Sequence, residues 1–211
     1  MEKQNLSQVV EFDLMPAAWS WYLPIKRLLD LMFVLPLFIL GLPIVLIAAL
    51  AVKLDSAGPA FFKQERLGLQ GRPLTILKLR TMCQDAEKNG AQWAEKKDSR
   101  VTNVGRFLRK TRIDELPQLL SVLSGQMSLI GPRPERPEFT REFAQTYPGF
   151  EQRLRVKPGL SGYAQVHGGY DLNPAEKAAL DKYYIDHLSL RMDGHIFLAT
   201  LKTVITGEGS R

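Results

Sequence analysis

The sequence predicts a mainly helical α+β fold in which a membrane hairpin is attached to one compact domain. An apolar run of 22 residues, Leu31 to Val52, predicts the membrane segment. Two short strand-like runs, 60–66 and 74–82, flank a glycine-rich turn and predict a small β-hairpin. Helical patterns separated by proline- and glycine-rich turns fill most of the remainder. A chain of 211 residues can hold one domain with its own core plus an appendage.

The apolar run is long enough for a bilayer, because a helix of this length extends about 33 Å. It begins late and lacks a small-residue cleavage site, so a cleaved signal peptide is not expected. The turn Asp55–Pro59 ends it. The chain therefore divides into an N-terminal lead-in (1–25), a membrane hairpin (26–54) and a domain that contains the rest (55–211).

Prolines and flanking charges indicate how this run meets the membrane. Pro36 and Pro43 fall in its middle, where each removes a helical hydrogen bond. Lys26 and Arg27 precede the run and Lys53 follows it, whereas a spanning helix concentrates positive charge on one side. The pattern favours a helix-break-helix hairpin that enters one leaflet and returns. A kinked helix that crosses the bilayer is the alternative.

The composition of the chain indicates which classes of binding partner to expect. The net charge of +6 and the pI near 9.5 favour a polyanion, which includes nucleic acid, anionic lipid and phosphorylated small molecules. The single cysteine, Cys83, excludes an internal disulfide framework and provides no metal-binding cluster. The three histidines have no spacing typical of a zinc site. These features fit a cytoplasmic environment.

The adjacent carboxylates Asp114 and Glu115 are the leading candidate for a functional site. They follow a cationic run without an acid, and Pro117 suits the first turn of a helix that begins there. Two carboxylates at a helix N-terminus among arginines can place a nucleophile and a metal ligand beside a bound phosphate. Alternatively, Asp114 is simply an N-cap and Glu115 a first-turn acid. The preceding cations are Arg100, Arg106, Arg109, Lys110 and Arg112.

Other cations stand in ordered segments. Strand alternation predicts that Lys78 and Arg80 lie on one face, as a phosphate clamp or as a solvated strand face. Arg133 stands between Pro132 and Pro134, so a rigid backbone holds it for binding or as part of an ordinary connection. Further helices are predicted over 83–99, 102–110, 138–147, 174–188 and 190–206.

Two segments can meet the membrane surface. The last helix is amphipathic, so it packs on the core or lies at the interface with the bilayer. Trp19, Trp21 and Tyr22 are candidate anchors at the level of the lipid headgroups.

These motifs occur in an order that closely resembles the bacterial sugar transferase family, the monotopic phosphoglycosyl transferases, in its small minimal form. The resemblance covers almost the whole chain from Lys26. It is carried by the apolar hairpin and by Gln64–Gly68 (QERLG), Lys78–Met82 (KLRTM), Arg109–Gln118 (RKTRIDELPQ), Met127–Pro134 (MSLIGPRP) and Lys157–Gly162 (KPGLSG).

The resemblance implies a membrane enzyme on the cytoplasmic face of the bacterial inner membrane. Such an enzyme transfers a phosphosugar from a UDP-sugar to polyprenol (undecaprenyl) phosphate and releases UMP, an early step in the assembly of exopolysaccharide, O-antigen, capsule or glycoprotein glycans. Asp114 would be the nucleophile that forms a phosphosugar-aspartyl intermediate, and Glu115 would support the required Mg²⁺. Lys78, Arg80, Arg109 and Arg133 would surround the phosphates, and Pro43 would mark the break in the re-entrant helix. Membrane lipids are expected partners, a homodimer is a compatible assembly, and nucleic acid is not expected.

The chain departs from the family pattern at two places. Gln126 replaces an acid in the Gly-Asp-Met-Ser motif that many relatives carry, and Gly169 replaces an arginine in their Asn-Gly-Arg motif. Three other classes remain as alternatives to the transferase. A membrane-surface adaptor would not need the acidic dyad, a lipid phosphohydrolase would use the dyad with water as acceptor, and a nucleic-acid-binding protein would leave the apolar run unexplained.

Overall fold

The computed structural model of the protein describes Leu14, residues 21–86, residue 88 and residues 98–206. Its helices and strands, in chain order, are α1 (Tyr22–Asp55), β1 (Phe61–Leu67), β2 (Pro73–Leu79), α2 (Asn103–Thr111), α3 (Leu119–Leu123), β3 (Ser128–Ile130), α4 (Pro137–Thr146), β4 (Gly159–Ser161), α5 (Tyr163–His167), α6 (Pro174–Asp186) and α7 (Leu190–Thr206). Short 3₁₀ helices lie at Leu69–Gly71, Ile113–Gln118, Phe150–Arg155 and Gly169–Asp171. The predicted α+β class with mainly helical content is confirmed.

Most predicted elements lie close to their expected bounds. The helices predicted at 102–110, 138–147, 174–188 and 190–206 are confirmed within two residues at each end. The Oγ1 atom of Thr102 accepts a hydrogen bond from the backbone of Gly105, which explains where α2 begins. The helix predicted at 83–99 lies mostly outside the described residues, and its described ends form turns.

Two small sheets organise the domain around the site. In the predicted β-hairpin, β1 pairs antiparallel with β2 from Phe61 opposite Leu79 to Leu67 opposite Pro73. A second sheet, which the sequence pattern did not predict, pairs β3 with β4 in parallel. This second pair joins the two proline- and glycine-rich motifs, Met127–Pro134 and Lys157–Gly162, so their loops lie side by side.

The apolar run forms one helix rather than two. Helix α1 continues through Pro36 and Pro43, so the predicted break at Pro43 does not interrupt the helix. A proline inside a helix removes one hydrogen bond and can bend the helix without ending it. Helix α1 begins at Tyr22, which lies before the predicted boundary at residue 26. It is the one helix of the described residues that is long and apolar enough to cross a membrane.

One face of α1 packs on the domain from its first turn to its last. Its buried residues follow helical spacing and are Tyr22, Asp30, Val34, Gly41, Val45, Ala48 and Val52. At the middle of the helix, a Cβ atom on Gly41 would lie only 3.7 Å from the side chain of Leu116, two residues after Asp114. The opposite face exposes apolar side chains along its length, including Leu40, Ile47 and Leu54. The helix therefore has one protein-facing side and one exposed apolar side.

Polar side chains attach both ends of α1 to the domain. Arg27 donates two hydrogen bonds to carbonyl groups in the last turn of α3. The carboxylate of Asp30 accepts a hydrogen bond of 3.0 Å from the backbone of Leu129. At the other end, Asp55 accepts one of 3.1 Å from the backbone of Val104 at the start of α2. These contacts fix the helix in orientation as well as in position.

Helix α7 packs on the core and also leaves an apolar stripe exposed. Ile196 is fully buried in a cluster with Ile130 and Tyr184, while Leu198 and Leu201 are exposed. Packing of the last helix on the core is therefore confirmed, and its contact with the bilayer stays a prediction. The predicted headgroup anchor at Tyr22 is wrong. Its side chain is buried and its hydroxyl donates to Asp193 of α7, because a buried phenol needs a partner. Trp21 is exposed, and Trp19 lies outside the described residues.

Candidate active site

Asp114 and Glu115 lie on the 3₁₀ helix Ile113–Gln118, between α2 and α3. Arg112 precedes this helix with φ of +60°, a left-handed conformation that is uncommon for a side chain of this size. The reversal at Arg112 ends α2 and turns the two acids towards β2. No side-chain cap is present at this helix, so the reading of Asp114 as an N-cap is wrong.

Glu115 is neutralised by two cations. Lys78 Nζ of β2 lies 3.1 Å from its Oε1 atom, and the guanidinium of Arg133 donates to the same oxygen. Burial alone would raise the pKa of Glu115, but the charges of Arg133 and Lys78 outweigh it and hold that pKa well below its usual value. Glu115 is therefore ionised, and it joins β2 to the loop that carries Arg133.

Asp114 has a different environment from its neighbour. It is buried, and no hydrogen bond reaches its carboxylate from any residue that the structure describes. Burial and the charge of Glu115 raise its pKa to about 6, although Lys78 and Arg109 act in the opposite direction. At pH 7 the carboxylate is still mostly ionised, and its lone pairs are not engaged. This is the state that a nucleophile requires.

The predicted phosphate clamp is only partly formed. Lys78 lies on β2 and faces Glu115, whereas Arg80 lies just beyond the end of the strand. The guanidinium of Arg80 donates to the carbonyls of Ser56, at 2.8 Å, and Ala57. Arg80 thus attaches β2 to the loop after α1, and its part in phosphate binding stays a prediction. Arg80 still lines the cavity that contains the dyad.

A cavity of about 360 Å³ contains the dyad, and we call it the polar cavity. All six predicted site residues line it: Lys78, Arg80, Arg109, Asp114, Glu115 and Arg133. Arg109 donates a hydrogen bond of 2.9 Å to the hydroxyl of Thr81 in its wall. The polar cavity continues past Arg136 and Phe139 to Gln165 and Lys177. A concave site with this many cations suits a ligand with several phosphate charges.

A smaller apolar cleft of about 140 Å³ lies beside the polar cavity. One wall is α1, with Gly41 and Leu46, and the other is the segment Leu116–Leu120 that follows the dyad. Phe61 lines both the apolar cleft and the polar cavity, so the two spaces are neighbours at this residue. Apolar space thus borders Asp114 and Glu115 on the side of α1.

The carboxylate oxygens of Asp114 and Glu115 suit Mg²⁺, but they do not form a complete set of ligands for it. No group of three or more His, Cys, Asp or Glu side chains that could hold a metal occurs in the described part of the chain. Mg²⁺ is commonly bound by one or two carboxylates together with substrate phosphates. Glu115 Oε2 has only a 3.4 Å contact with Arg133 Nη1, so this oxygen keeps capacity to accept. The residues present therefore fit an ion that is shared with a diphosphate.

Several residues of the site were missed by the sequence patterns. Arg66 and Arg153 reach the loop of Arg133, yet in the sequence they resemble ordinary surface charges. Asp181, buried on α6, forms an ion pair of 2.6 Å with Arg153. No local sequence signal marked these residues, because the parallel pairing of β3 with β4 is what brings the 3₁₀ helix Phe150–Arg155 to the loop after β3.

The chain belongs to the bacterial sugar transferase family, whose model matches residues 21–207. It is 45% identical over 193 residues to the UDP-N-acetylgalactosamine-undecaprenyl-phosphate N-acetylgalactosaminephosphotransferase of Aeromonas hydrophila, which is 90% of this chain and 46% of that protein. It is 44% identical over 191 residues to the UDP-glucose:undecaprenyl-phosphate glucose-1-phosphate transferase of Caulobacter vibrioides, covering 88% of this chain and 71% of the relative. The exopolysaccharide production protein PSS of Rhizobium leguminosarum is 36% identical over 197 residues, and 98% of it is covered.

These comparisons confirm the family that the motif order predicted. The chain spans less than half the length of the Aeromonas relative and most of the length of the other two. The two transferases named above differ in sugar, N-acetylgalactosamine in one and glucose in the other. Family membership therefore indicates the type of reaction and leaves the sugar open.

Proposed function

We propose that this protein is a phosphoglycosyl transferase that moves a sugar phosphate from a UDP-sugar to undecaprenyl phosphate and releases UMP. The observation that carries the proposal is the environment of Asp114. A buried carboxylate that accepts no hydrogen bond from the described part of the chain lies beside a neutralised Glu115, in a cavity lined by cations. The names of the relatives supply the donor and acceptor classes.

In the first half-reaction, a carboxylate oxygen of Asp114 attacks the phosphorus that bears the sugar. A bond forms between this oxygen and phosphorus, and the bond from phosphorus to the bridging oxygen of the diphosphate breaks. UMP leaves with the electron pair of that bond. Lys78 and Arg133 lie beside the dyad, where they can offset the negative charge that gathers between carboxylate and diphosphate.

In the second half-reaction, a phosphate oxygen of the acceptor attacks the same phosphorus. The bond from phosphorus to Asp114 breaks, so the carboxylate is restored. The product is the undecaprenyl lipid joined to the sugar by a diphosphate. Two separate displacements allow a water-soluble donor and a lipid acceptor to use one site in turn. The cleft walled by α1 and Leu116–Leu120 offers apolar surface for the first isoprene units of the acceptor.

Glu115 would hold Mg²⁺, and a bound Mg²⁺ would supply positive charge that offsets the charge of the diphosphate. Lys78 and Arg133 already balance the charge of Glu115, which keeps this carboxylate ionised and therefore able to bind a metal.

The packing of α1 supports monotopic insertion from the cytoplasmic face of the inner membrane. Gly41, halfway along α1, lies close enough to Leu116 that a Cβ atom would touch it, and both ends of the helix are attached to the domain. If α1 crossed the bilayer, its packing would carry Leu116 and the charged dyad to the bilayer centre, which is costly. Insertion of the exposed apolar face into one leaflet leaves the dyad near the headgroups.

Accessibility labelling tests this topology. Single cysteines introduced as Lys3→Cys and Arg211→Cys, in a Cys83→Ser background, should both react with a membrane-impermeant maleimide only from the cytoplasmic side. The measurement compares intact spheroplasts with inverted vesicles. A periplasmic cysteine fused to a known spanning helix is the positive control. Labelling of the two cysteines from opposite sides would show that α1 crosses the bilayer.

UMP release tests the reaction itself. Purified protein in detergent, given Mg²⁺ and undecaprenyl phosphate, should release UMP from at least one member of a panel of UDP-sugars. Without acceptor, the same donor should give an adduct on intact protein with the mass of one sugar phosphate. Continuous release of sugar phosphate into water without acceptor would instead identify a phosphohydrolase. Absence of both UMP and adduct across the panel would refute the proposal.

A further inference from the structure

The loop that carries Arg133 is held by its main-chain oxygens. Four consecutive carbonyl groups, from residues 132 to 135, each accept a hydrogen bond from a donor outside the loop. The four pairs are Pro132 with Gly159 N at 2.9 Å, Arg133 with Arg153 Nη2 at 3.0 Å, Pro134 with Arg66 Nη1 at 3.1 Å and Glu135 with Leu67 N at 3.0 Å. The main chain of the loop is therefore held on both sides of Arg133, whose side chain reaches Glu115.

Arg153 holds the carbonyl of Arg133 itself. Pro134 restricts the backbone of Arg133 and has a fixed φ, so few rotations remain in this segment. The main freedom that remains is rotation of the peptide group between Arg133 and Pro134. The hydrogen bond from Arg153 to the Arg133 carbonyl removes this rotation. The guanidinium of Arg133 extends from the same residue to Glu115. Arg153 thus acts on the site through the main chain.

Asp181 keeps Arg153 in place and balances its charge. Both side chains are almost fully buried, and Arg153 Nη2 lies 2.6 Å from Asp181 Oδ2. The guanidinium also lies 4.8 Å from the centre of the Phe150 ring. Buried ion pairs are seldom retained for stability alone, because an apolar pair of similar size is often as stable. This makes an orienting role worth testing.

We propose that the Arg153–Asp181 ion pair is a positioning device for Arg133, which fixes the Arg133 carbonyl so that the guanidinium meets Glu115. The proposal rests on the proposed function in one respect, since Glu115 must matter for the reaction. Two other roles are possible for a buried pair that borders the polar cavity. It could support the fold only, or Arg153 could bind substrate directly.

The chain contains a matched control pair. Arg155 and Asp186 join the same two elements, the 3₁₀ helix Phe150–Arg155 and α6, and have the same residue types. They lie 3.9 Å apart at the surface. None of the contacts that hold the loop of Arg133 comes from this control pair. Substitutions there test the effect of losing an ion pair between these elements without disturbing Arg133.

The test is a double-mutant cycle on the rate of adduct formation. Arg153→Lys and Asp181→Asn should each lower this rate about 10- to 100-fold. Arg155→Lys and Asp186→Asn should change it less than about twofold. In an Arg133→Gln background, where the positioned group is already lost, Arg153→Lys should cost less than about a further twofold. A small further effect of Arg153→Lys in that background would show that Arg153 acts on the rate through Arg133.

A second variant separates positioning from folding. Arg153→Met combined with Asp181→Leu removes both buried charges together, which spares the fold, and it should lose activity to the same extent as Arg153→Lys. Wild-type activity in this double variant would overturn the proposal. The same factor for Arg153→Lys with and without Arg133 would also overturn it, in favour of direct substrate binding or a role in folding. If the unaltered protein forms no adduct, the proposed function fails first and separately.

Discussion

Asp114→Asn should abolish the covalent sugar-phosphate adduct and lower UMP release by at least about 10³-fold. The amide has the shape of the carboxylate but lacks the negative charge and nucleophilicity that displacement at phosphorus requires. Intact-mass analysis after incubation with the UDP-sugar, without acceptor, measures the adduct. A discontinuous UMP assay with acceptor measures turnover.

The same substitution should leave the fold intact. Burial and Glu115 raise the pKa of Asp114 to about 6, so the ionised group is less stable in the folded protein than in the unfolded chain at neutral pH. Removing its charge should therefore not lower the melting temperature. Asp186→Asn, on an exposed acid, is the control for substitution of an aspartate. A sugar-phosphate adduct on the Asp114→Asn protein would exclude Asp114 as the nucleophile.

Glu115→Gln should lower turnover by about 10²-fold and raise the Mg²⁺ concentration needed for half-maximal activity. It should also destabilise the protein by about 3 kcal/mol, because Lys78 and Arg133 lose the charge that balances them. The sign follows from the depressed pKa of Glu115, whose ionised form stabilises the fold above its unfolded pKa. A Mg²⁺ titration of the rate and a thermal melt measure the two effects.

Glu142→Gln, on an exposed acid of α4, should change neither the rate nor the Mg²⁺ titration. A Glu115→Gln protein with an unchanged Mg²⁺ response would remove Glu115 from the metal site. In that event, the role of Glu115 would be to balance the charges of Lys78 and Arg133. The Glu115→Gln protein would then still be less stable than the unaltered protein. The two readouts therefore separate metal binding from charge balance.

Local patterns predicted those parts of the protein that depend on local forces. The turn chemistry at 68–73 sufficed for the β-hairpin, and the apolar run sufficed to place a long apolar helix there but not to predict that it continues through Pro43. Asp114 and Glu115 could be singled out because adjacent acids after a cationic run are conspicuous. Their separate environments could not be predicted, since they depend on Lys78 and Arg133, far away in sequence.

Failures of prediction have equally specific causes. Arg80 was predicted to bind phosphate beside Lys78, but its guanidinium donates hydrogen bonds to the carbonyls of Ser56 and Ala57, partners that no local pattern indicates. Arg153 and Asp181 were overlooked because a buried ion pair has no local signature. Arg153 and Asp181 lie on elements that meet only through tertiary packing. The parallel pairing of β3 with β4 then brings the loop of Arg133 close to this pair.

The close approach of Gly41 to Leu116 has a consequence for acceptor choice in the proposed topology. Because the middle of α1 packs against the residue two positions after Asp114, the depth of the helix in a leaflet would also set the depth of the Asp114 carboxylate. The site would then reach neither a phosphate in deeper layers nor one in bulk water. The proposal therefore predicts that, among chemically equivalent polyprenyl phosphates, those whose phosphate lies at the depth of Asp114 are accepted.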